Sequence, residues 1–338
     1  MKHGDDIAAL LAEPENMRTI SNATYSSGRL ESAMVLVIGD IILDRYTRGE
    51  ATRLAPEAPV PVVLMDEAKP EWRLGGAGNV AASIAALGEK VSLVGPYGRD
   101  GHRALRRLCG AAGIELLGEP QGDAVTTIKT RVVDSSGRLL IRLDSERRGD
   151  WAGTSYLRDI LGAVRPDTVV FSDYDKGAWT FDNWRAITSY FELHASGGGP
   201  RRLVVDAKRR LEWYEGAGLV KCNKGEWDRF GGDSLCPIDS HAVVTKGKMG
   251  LSHGAPPGPG RAGLRRWDDI PATEHDVHDV TGAGDIVAAV IAAGLSRELP
   301  MRRILESAVE ASSASVTRPM TGVADPTETN LPLGKGGA

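Results

Sequence analysis

The alternation of apolar and polar stretches along the chain predicts a parallel β-sheet covered by helices on both faces. Short apolar runs typical of buried strands lie at residues 34–39, 91–95, 167–173, 202–207 and 241–247. Apolar residues at helical spacing predict helices over residues 79–88, 101–113, 181–195 and 283–296. Strands that alternate with helices in this way indicate an α/β domain whose sheet is buried on both sides.

Two segments break the alternation, because they are rich in strand-forming residues and contain no helical spacing. They are residues 59–76 and 124–146, the second with a turn at DSSG, residues 134–137, that predicts a hairpin. We therefore expect a small antiparallel sheet beside the main domain, formed by residues 46–76 and 124–146. We divide the chain into a leader at 1–33, one domain over 34–330 that includes this small sheet, and a tail at 331–338.

Composition excludes several classes of protein. The 338 residues have a formal charge of −4, which gives no reason to expect nucleic-acid binding. Cys109, Cys222 and Cys236 are too widely spaced for a disulfide framework or a zinc site, which favours a reducing compartment. No apolar run approaches the roughly 20 residues of a membrane span, and the N-terminus lacks the apolar core of a signal peptide. We predict a cytoplasmic protein without a membrane partner.

The candidate chemistry lies in HDVTGAGDIVAA, residues 278–289, at the start of a predicted helix. A helix N-terminus offers free N–H groups, and the small residues Gly282, Ala283 and Gly284 let them close around an anion. Asp285 then lies in the first turn, where it could accept the proton of a hydroxyl that attacks a phosphoryl group. An Asp at this position also serves as a simple capping charge, and GAGD alone does not separate the two roles.

Other nucleotide motifs are missing. The chain has no P-loop motif, GxxxxGK[ST]. The dinucleotide-binding motif GxGxxG does not follow the first predicted strand, since VIGDIILD contains a single glycine. This second absence argues against an NAD-dependent dehydrogenase. The seven histidines show no metal-ligand spacing.

Three motifs, in this order, resemble the signatures of the ribokinase-type carbohydrate kinases, also called the phosphofructokinase B family. They are LGGAGNVAASIAALG (74–88), NKGEW (223–227) and DVTGAGD (279–285), and the resemblance extends from residue 34 to about 325. It implies a ribokinase-like three-layer αβα core with a β lid, and ATP- and Mg²⁺-dependent phosphoryl transfer. NKGE alone would be no more than a polar turn.

The resemblance also implies roles for particular residues. Asp285 would be the catalytic base, with Gly282, Ala283 and Gly284 as the anion hole. Asn223 and Glu226 would order Mg²⁺ and the phosphates, Glu226 through water, as suits a cation that keeps several waters. The nucleotide side would include Thr245, Gly247, Gly250 and Lys208. In AVEASSASVTRPMTG, predicted as a helix over 308–322, Val309 stands where relatives have Asn, which removes or replaces an adenine contact.

Within that family, three longer stretches are similar to the D-glycero-D-manno-heptose-7-phosphate kinases. They are residues 39–63, 126–144 and 172–178. The similarity implies phosphorylation of O1 of the heptose phosphate, on the route to ADP-heptose for lipopolysaccharide. The sugar hydroxyls are assigned to Asp40, Gly75, Gly76 and Asn79.

A substrate phosphate needs cations. Lys176 is the first choice, and Arg131 and Lys129 follow because they share one face of a predicted lid strand. Basic residues on a strand are also commonly just solvated. Asp44 joins the sugar site, serves as a cap or pairs with Arg45.

Lid sheets in this family often pair between subunits, since an exposed sheet edge invites another strand, so a homodimer is expected. Two alternatives stay open at this point. One is a kinase of the same fold that acts on another sugar or sugar phosphate, for example in natural-product glycosylation. The other is a sugar sensor without catalysis, against which the presence of Asp285 and Glu226 counts.

Overall fold

The computed structural model describes residues 34–66, 69–121, 124–146, 153–194, 202–258, 264–273, 277–318 and 320–332. All of them belong to one compact unit, Ser32–Ala338. The predicted leader, residues 1–33, lies outside the described residues.

The described residues form fourteen strands and seven helices. The strands are β1 (Met34–Gly39), β2 (Ile41–Leu54), β3 (Pro61–Met65), β4 (Glu71–Gly76), β5 (Lys90–Val94), β6 (Glu115–Leu117), β7 (Thr127–Val133), β8 (Leu139–Ser145), β9 (Thr168–Ser172), β10 (Leu203–Asp206), β11 (Leu219–Asn223), β12 (His241–Thr245), β13 (Leu251–Ala255) and β14 (Arg266–Ile270). The helices are α1 (Ala77–Ala86), α2 (Arg99–Ala111), α3 (Thr154–Val164), α4 (Phe181–His194), α5 (Lys224–Arg229), α6 (Ala283–Ser296) and α7 (Met301–Ser315).

The main sheet has nine strands in the order β14-β13-β12-β11-β10-β9-β1-β5-β6. Seven neighbouring strands of this sheet are parallel, namely β12, β11, β10, β9, β1, β5 and β6. Strands β13 and β14 extend the edge next to β12 as antiparallel strands. Successive residues of a strand point to opposite faces. Val35 and Val37 therefore pack with α1, α2, α6 and α7, while Leu36 and Ile38 pack with α3 and α4 on the other face. The predicted three-layer αβα core is confirmed.

The lid is a second sheet of five strands in the order β3-β2-β7-β8, with β4 also paired to β2. The hairpin predicted at 134–137 joins β7 and β8. The prediction of a purely antiparallel lid is wrong in one pairing, because β2 and β7 run parallel. Residues 55–126 separate β2 from β7 along the chain, so no tight turn imposes the antiparallel direction. The lid also begins at Ile41 rather than at residue 46.

The chain enters and leaves the first part of the lid at one point. Only Asp40 separates β1 from β2, and α1 follows β4 directly at Ala77. The Ala77 N–H donates to the Asp40 carbonyl oxygen at 3.0 Å, which joins the two crossings.

The helix predicted over 308–322 is displaced along the chain. Helix α7 begins at Met301 and ends at Ser315, before Pro319, a residue that cannot continue a helix. No helix of the described residues is long and apolar enough to cross a membrane.

Candidate active site

The candidate site lies at the carboxyl ends of the parallel strands, where β1 is flanked by β5 and β9. After β1, strands β5 and β6 are added on one side of it, and β9 and the later strands are added on the other side. Ligands of open α/β sheets bind where the strand order reverses in this way. Asp40, Tyr174, Asp206 and Asn223 lie at or just after the ends of β1, β9, β10 and β11.

Asp285 is buried in the first turn of α6, with a hydrogen-bond donor on each carboxylate oxygen. Asn79 Nδ2 donates to Oδ2 at 3.0 Å, and the Tyr174 hydroxyl donates to Oδ1. Burial, and then the charge of Asp206, raise the pKa of Asp285, although Tyr174, Asn79 and Lys221 oppose them. The carboxylate is therefore fixed in orientation and poised to take up a proton.

The glycines of the bend are required by close approaches. Gly282 has a φ of 85°, and a Cβ there would lie 2.7 Å from Asn79 Nδ2. A Cβ on Gly284 would lie 3.0 Å from Lys221 Nζ. The N–H of Ala283, one of the predicted anion-hole donors, points instead to the Val280 carbonyl oxygen at 3.3 Å. Ala283 and Gly284 also line the cavity described below.

A group of buried charges lies beside the bend. Lys221 Nζ is 2.9 Å and Lys208 Nζ 3.2 Å from Asp206 Oδ1. Burial alone would raise the pKa of Asp206, but the two lysines outweigh it and lower that pKa. Sequence reasoning missed Lys221, because it lies in the apolar run LVKCN. A lysine within a strand buried on both faces was the signal that could have found it.

Asn223 and Glu226 form a capping box at the start of α5. Asn223 Oδ1 accepts from the Glu226 N–H at 2.9 Å, and Glu226 Oε2 accepts from the Asn223 N–H at 2.8 Å. Glu226 Oε1 faces Lys208 Nζ at 3.3 Å. Among the described residues no three His, Cys, Asp or Glu side chains converge as a metal site. A Mg²⁺ ion near Glu226 would depend mainly on phosphate oxygens and water for its ligands.

The predicted sugar-binding side chains lie together, with unused acceptors. Asp40 Oδ2 accepts from the Tyr174 N–H at 2.7 Å, while Asp40 Oδ1 and Asn79 Oδ1 are buried without a hydrogen-bond partner in the described part of the chain. Such atoms need donors, and hydroxyls can supply them. Burial, followed by the charge of Asp173, raises the pKa of Asp40 to about 7.

Gly75 and Gly76 line the same corner. A Cβ on Gly75 would lie 2.6 Å from Asp44 Oδ2, and one on Gly76 would lie 2.6 Å from the Asp40 carbonyl oxygen. These two glycines therefore permit the close packing of β4 against the start of β2.

The three candidate phosphate-binding cations differ in their surroundings. Arg131 forms a buried ion pair with Asp44, so its charge is already neutralised, and Asp44 does not pair with Arg45. Lys176 pairs with Glu146 at the edge of the lid. Lys129 Nζ lies 5.6 Å from the Tyr174 ring centre, and burial and the charge of Lys176 lower its pKa. Lys129 is therefore better placed than Arg131 to receive an anion, and Lys176, whose ion pair is more exposed than that of Arg131, could exchange Glu146 for one.

A cavity of about 630 Å³ opens at the start of α6. It lies beside the predicted anion hole of Gly282, Ala283 and Gly284, which we call the anion cradle. Its lining includes Thr245, Gly247 and Gly250, the predicted nucleotide residues, together with Ala283, Gly284 and Val309. Lys208 and Asn223 are not among the lining residues. A volume of this size is ordinary for a nucleotide-sized ligand, and the cavity ends at the anion cradle.

A three-layer α/β fold with a buried carboxylate and an anion cradle beside this cavity defines a phosphoryl-transfer enzyme. Residues 211–328 match the profile described as pfkB family carbohydrate kinase. D-beta-D-heptose 7-phosphate kinase of Bordetella bronchiseptica is 37% identical over 290 residues, which cover 79% of this chain and 86% of that protein. The chain belongs to the pfkB family of carbohydrate kinases.

Other relatives are longer. The bifunctional protein HldE of Caulobacter sp. (strain K31) is 36% identical over 78% of this chain, but the match covers 55% of its own length. The chain thus spans little more than half of that protein. Phosphofructokinase-2 from Escherichia coli matches with a TM-score of 0.67 and 16% identity, over 88% of this chain and 96% of that chain. A putative ribokinase from Agrobacterium tumefaciens matches with a TM-score of 0.61 and 17% identity, over 88% and 95%. At these identities the solved structures show the fold.

Proposed function

We propose that this kinase transfers the γ-phosphoryl group of ATP to the anomeric O1 of D-glycero-D-manno-heptose 7-phosphate. The product is heptose 1,7-bisphosphate, an intermediate toward nucleotide-activated heptose. The observation that carries the reaction type is the buried Asp285 carboxylate next to the glycine cradle. The choice of sugar rests on the relative from Bordetella bronchiseptica that is named for this activity.

In the proposed mechanism, Asp40 and Asn79 bind sugar hydroxyls through their unpartnered oxygens. Asp285 removes the O1 proton while O1 attacks the γ-phosphorus, and the bond to the bridging oxygen of ADP breaks. N–H groups at the start of α6, with Lys221 behind Gly284, stabilise the charge on the transferred group. Bound Mg²⁺ would neutralise phosphate charge, with Glu226 as its protein contact through water and Asn223 beside it.

The substrate phosphate would bind between Lys129 and Lys176. Lys129 Nζ lies near the Tyr174 ring, Lys176 follows Tyr174 in the same loop, and the two positive charges would favour an anion under the lid. Arg131 would act indirectly, since its ion pair with Asp44 fixes the strand that holds Lys129.

We also propose a homodimer formed through the outer face of the lid. Met65, Ile141 and Leu143 are 52%, 42% and 53% exposed and lie on the face opposite to Lys129 and Arg131. Exposed apolar side chains that share one face of a sheet favour a protein–protein contact on that face. A cytoplasmic location fits the three buried, unpaired cysteines.

A coupled ADP-release assay tests the proposed function. It compares both anomers of D-glycero-D-manno-heptose 7-phosphate with sedoheptulose 7-phosphate, fructose 6-phosphate and ribose, with and without Mg²⁺. We expect turnover of the heptose phosphate alone, and only with Mg²⁺. Turnover of another sugar would overturn the substrate while leaving the reaction type, and ATP binding without any turnover would overturn both.

A further inference from the structure

Tyr174 contacts both halves of the candidate site, although no sequence motif assigned it a role. Its hydroxyl donates to Asp285 Oδ1, and its N–H donates to Asp40 Oδ2 at 2.7 Å. Two cations lie near its ring, with Lys129 Nζ at 5.6 Å and Lys208 Nζ at 5.3 Å from the ring centre. One residue thus joins the catalytic base, a sugar-binding carboxylate, the lid and the buried charges beside the cradle.

We propose that Tyr174 is a positioning residue whose hydroxyl occupies the catalytic base until the acceptor sugar displaces it, which prevents water from being phosphorylated in place of the sugar. This inference rests on the proposed function, because it concerns the same base and the same transferred group. It adds a device against wasted ATP.

The geometry supports displacement of Tyr174 rather than of Asn79. Asn79 is fully buried in α1 and donates to Oδ2, so that contact is built into the core. Tyr174 lies in the segment between β9 and α4, and its hydroxyl donates to the other oxygen, Oδ1. A sugar bound to Asp40 lies next to the Tyr174 backbone, and its O1–H can replace the tyrosine hydroxyl on Oδ1.

The reaction that Tyr174 limits is ATP hydrolysis. A water molecule at Oδ1 would give its proton to Asp285 while its oxygen attacks the γ-phosphorus, and the bond to the ADP oxygen would break to leave ADP and phosphate. While the tyrosine hydroxyl donates to Oδ1, a water molecule cannot occupy that position, and this remains so until the sugar displaces the hydroxyl.

The test is Tyr174→Phe, which removes the hydroxyl and keeps the ring. ATP hydrolysis without sugar and ADP release with saturating sugar are measured on the same samples. We expect hydrolysis without sugar to rise about tenfold, since an accessible general base contributes roughly 10²–10⁴-fold, so that the ratio of hydrolysis to sugar phosphorylation rises as well. An unchanged ratio of the two rates, or a fall in sugar phosphorylation without a rise in hydrolysis, would overturn the inference.

A pH profile gives a second readout. The groups that face Asp285 are Tyr174, Asn79, Asp206, Lys221 and Lys208. Loss of the tyrosine donor removes a contact that favours the ionised carboxylate, so the acidic limb of the kcat/KM profile should move to higher pH. A limb that does not move would also count against the contact.

The matched control is Tyr214→Phe. The Tyr214 hydroxyl donates to another buried carboxylate, Asp173 Oδ2, at 2.9 Å. This variant loses the same kind of hydrogen bond and should lose stability without changing the ratio of hydrolysis to phosphorylation. Tyr174→Leu replaces the Phe variant if that one does not fold. A wild-type protein without sugar phosphorylation would overturn the proposed function itself, whereas an active wild type with an unchanged variant ratio overturns this inference alone.

Discussion

Lys221 Nζ lies 2.9 Å from Asp206 Oδ1, and both side chains are almost completely shielded from solvent. Removing two charges from water is costly, so such a pair is weak support for stability by itself. Its position is informative, however, because the same ammonium group lies against Gly284 at the start of α6. A positive charge there adds to the helix dipole where the transferred phosphoryl group would accumulate negative charge.

Replacing Lys221 with methionine should therefore impair catalysis more than binding. Asp206 keeps Lys208 at 3.2 Å, so the variant should fold. We expect turnover to fall by about 10²-fold, as for the loss of one preorganised donor to a transition state, with ATP affinity within about threefold. Steady-state kinetics and calorimetric titration with ATP measure the two effects. Lys90→Met, at an exposed position, is the control, and equal losses in both variants would contradict the assignment.

Asp285→Asn tests the base. The amide keeps the size of the side chain but cannot take up the acceptor proton, so turnover should fall by at least ~10²-fold while sugar and ATP still bind. ADP release and ligand titration check this on one preparation. Asp159→Asn changes an exposed carboxylate by the same substitution and should be without effect. Near-full activity of Asp285→Asn would mean that another group removes the proton.

Gly282→Ala tests the geometry of the cradle. The φ of 85° and the 2.7 Å approach to Asn79 Nδ2 leave no room for a methyl group. We expect a loss of about 1–2 kcal/mol in the free energy of unfolding from the left-handed backbone and at least a ~10-fold loss of turnover. Gly162→Ala in α3 is the matched control, since nothing lies within 4 Å of its added Cβ. That control should be neutral or slightly stabilising; equal effects at both glycines would refute the argument.

Asp40 should make stability depend on pH. Burial raises its pKa from 3.8 to about 7, so the folded state holds a proton that the unfolded state releases. This contribution is fully present below about pH 4 and is lost as the pH rises through 7. Since one pKa unit corresponds to about 1.4 kcal/mol, the wild type should lose about 4 kcal/mol of unfolding free energy relative to Asp40→Asn between pH 4 and 8, measured by denaturant titration. A constant difference across this range would show that Asp40 ionises normally.

A charge on the outer lid face should disrupt the proposed dimer. Ile141→Glu places a carboxylate among apolar neighbours on β8, and sedimentation velocity should then show monomers. Leu193→Glu, at an 81% exposed position on α4, should leave the dimer intact. A wild type that is monomeric, or an Ile141→Glu variant that stays dimeric, would exclude this face as the interface.

Local patterns predicted the core well, because helix and strand periods depend on neighbouring residues. Helix α6 begins and ends where its spacing indicated, at Ala283 and Ser296. The parallel pairing of β2 with β7 could not be predicted, since it joins segments that are distant along the chain. The predicted helix over 308–322 was wrong at its end, because it continued through Pro319, whereas α7 ends at Ser315.

Site residues that belong to a sequence motif could be predicted, whereas those that only the fold brings together could not. NKGE fits both a capping box and a phosphate-ordering motif, and the structure shows the capping box directly. Tyr174 and Lys221 gave no spacing signal, because their roles come from three strands meeting at one edge of the sheet. Arg131 and Lys129 share a strand face as expected, but only the fold shows that Asp44 neutralises the arginine.

The chain leaves the core at Asp40 and returns to it at Ala77, and a hydrogen bond joins these two residues. Strands β2 to β4 lie between them. A displacement of this part of the lid is transmitted directly to the Asp40 carboxylate, with no intervening loop to absorb it. The pairing of β2 with β7 and the ion pair between Asp44 and Arg131 join this part of the lid to the other part, so the two parts should move together.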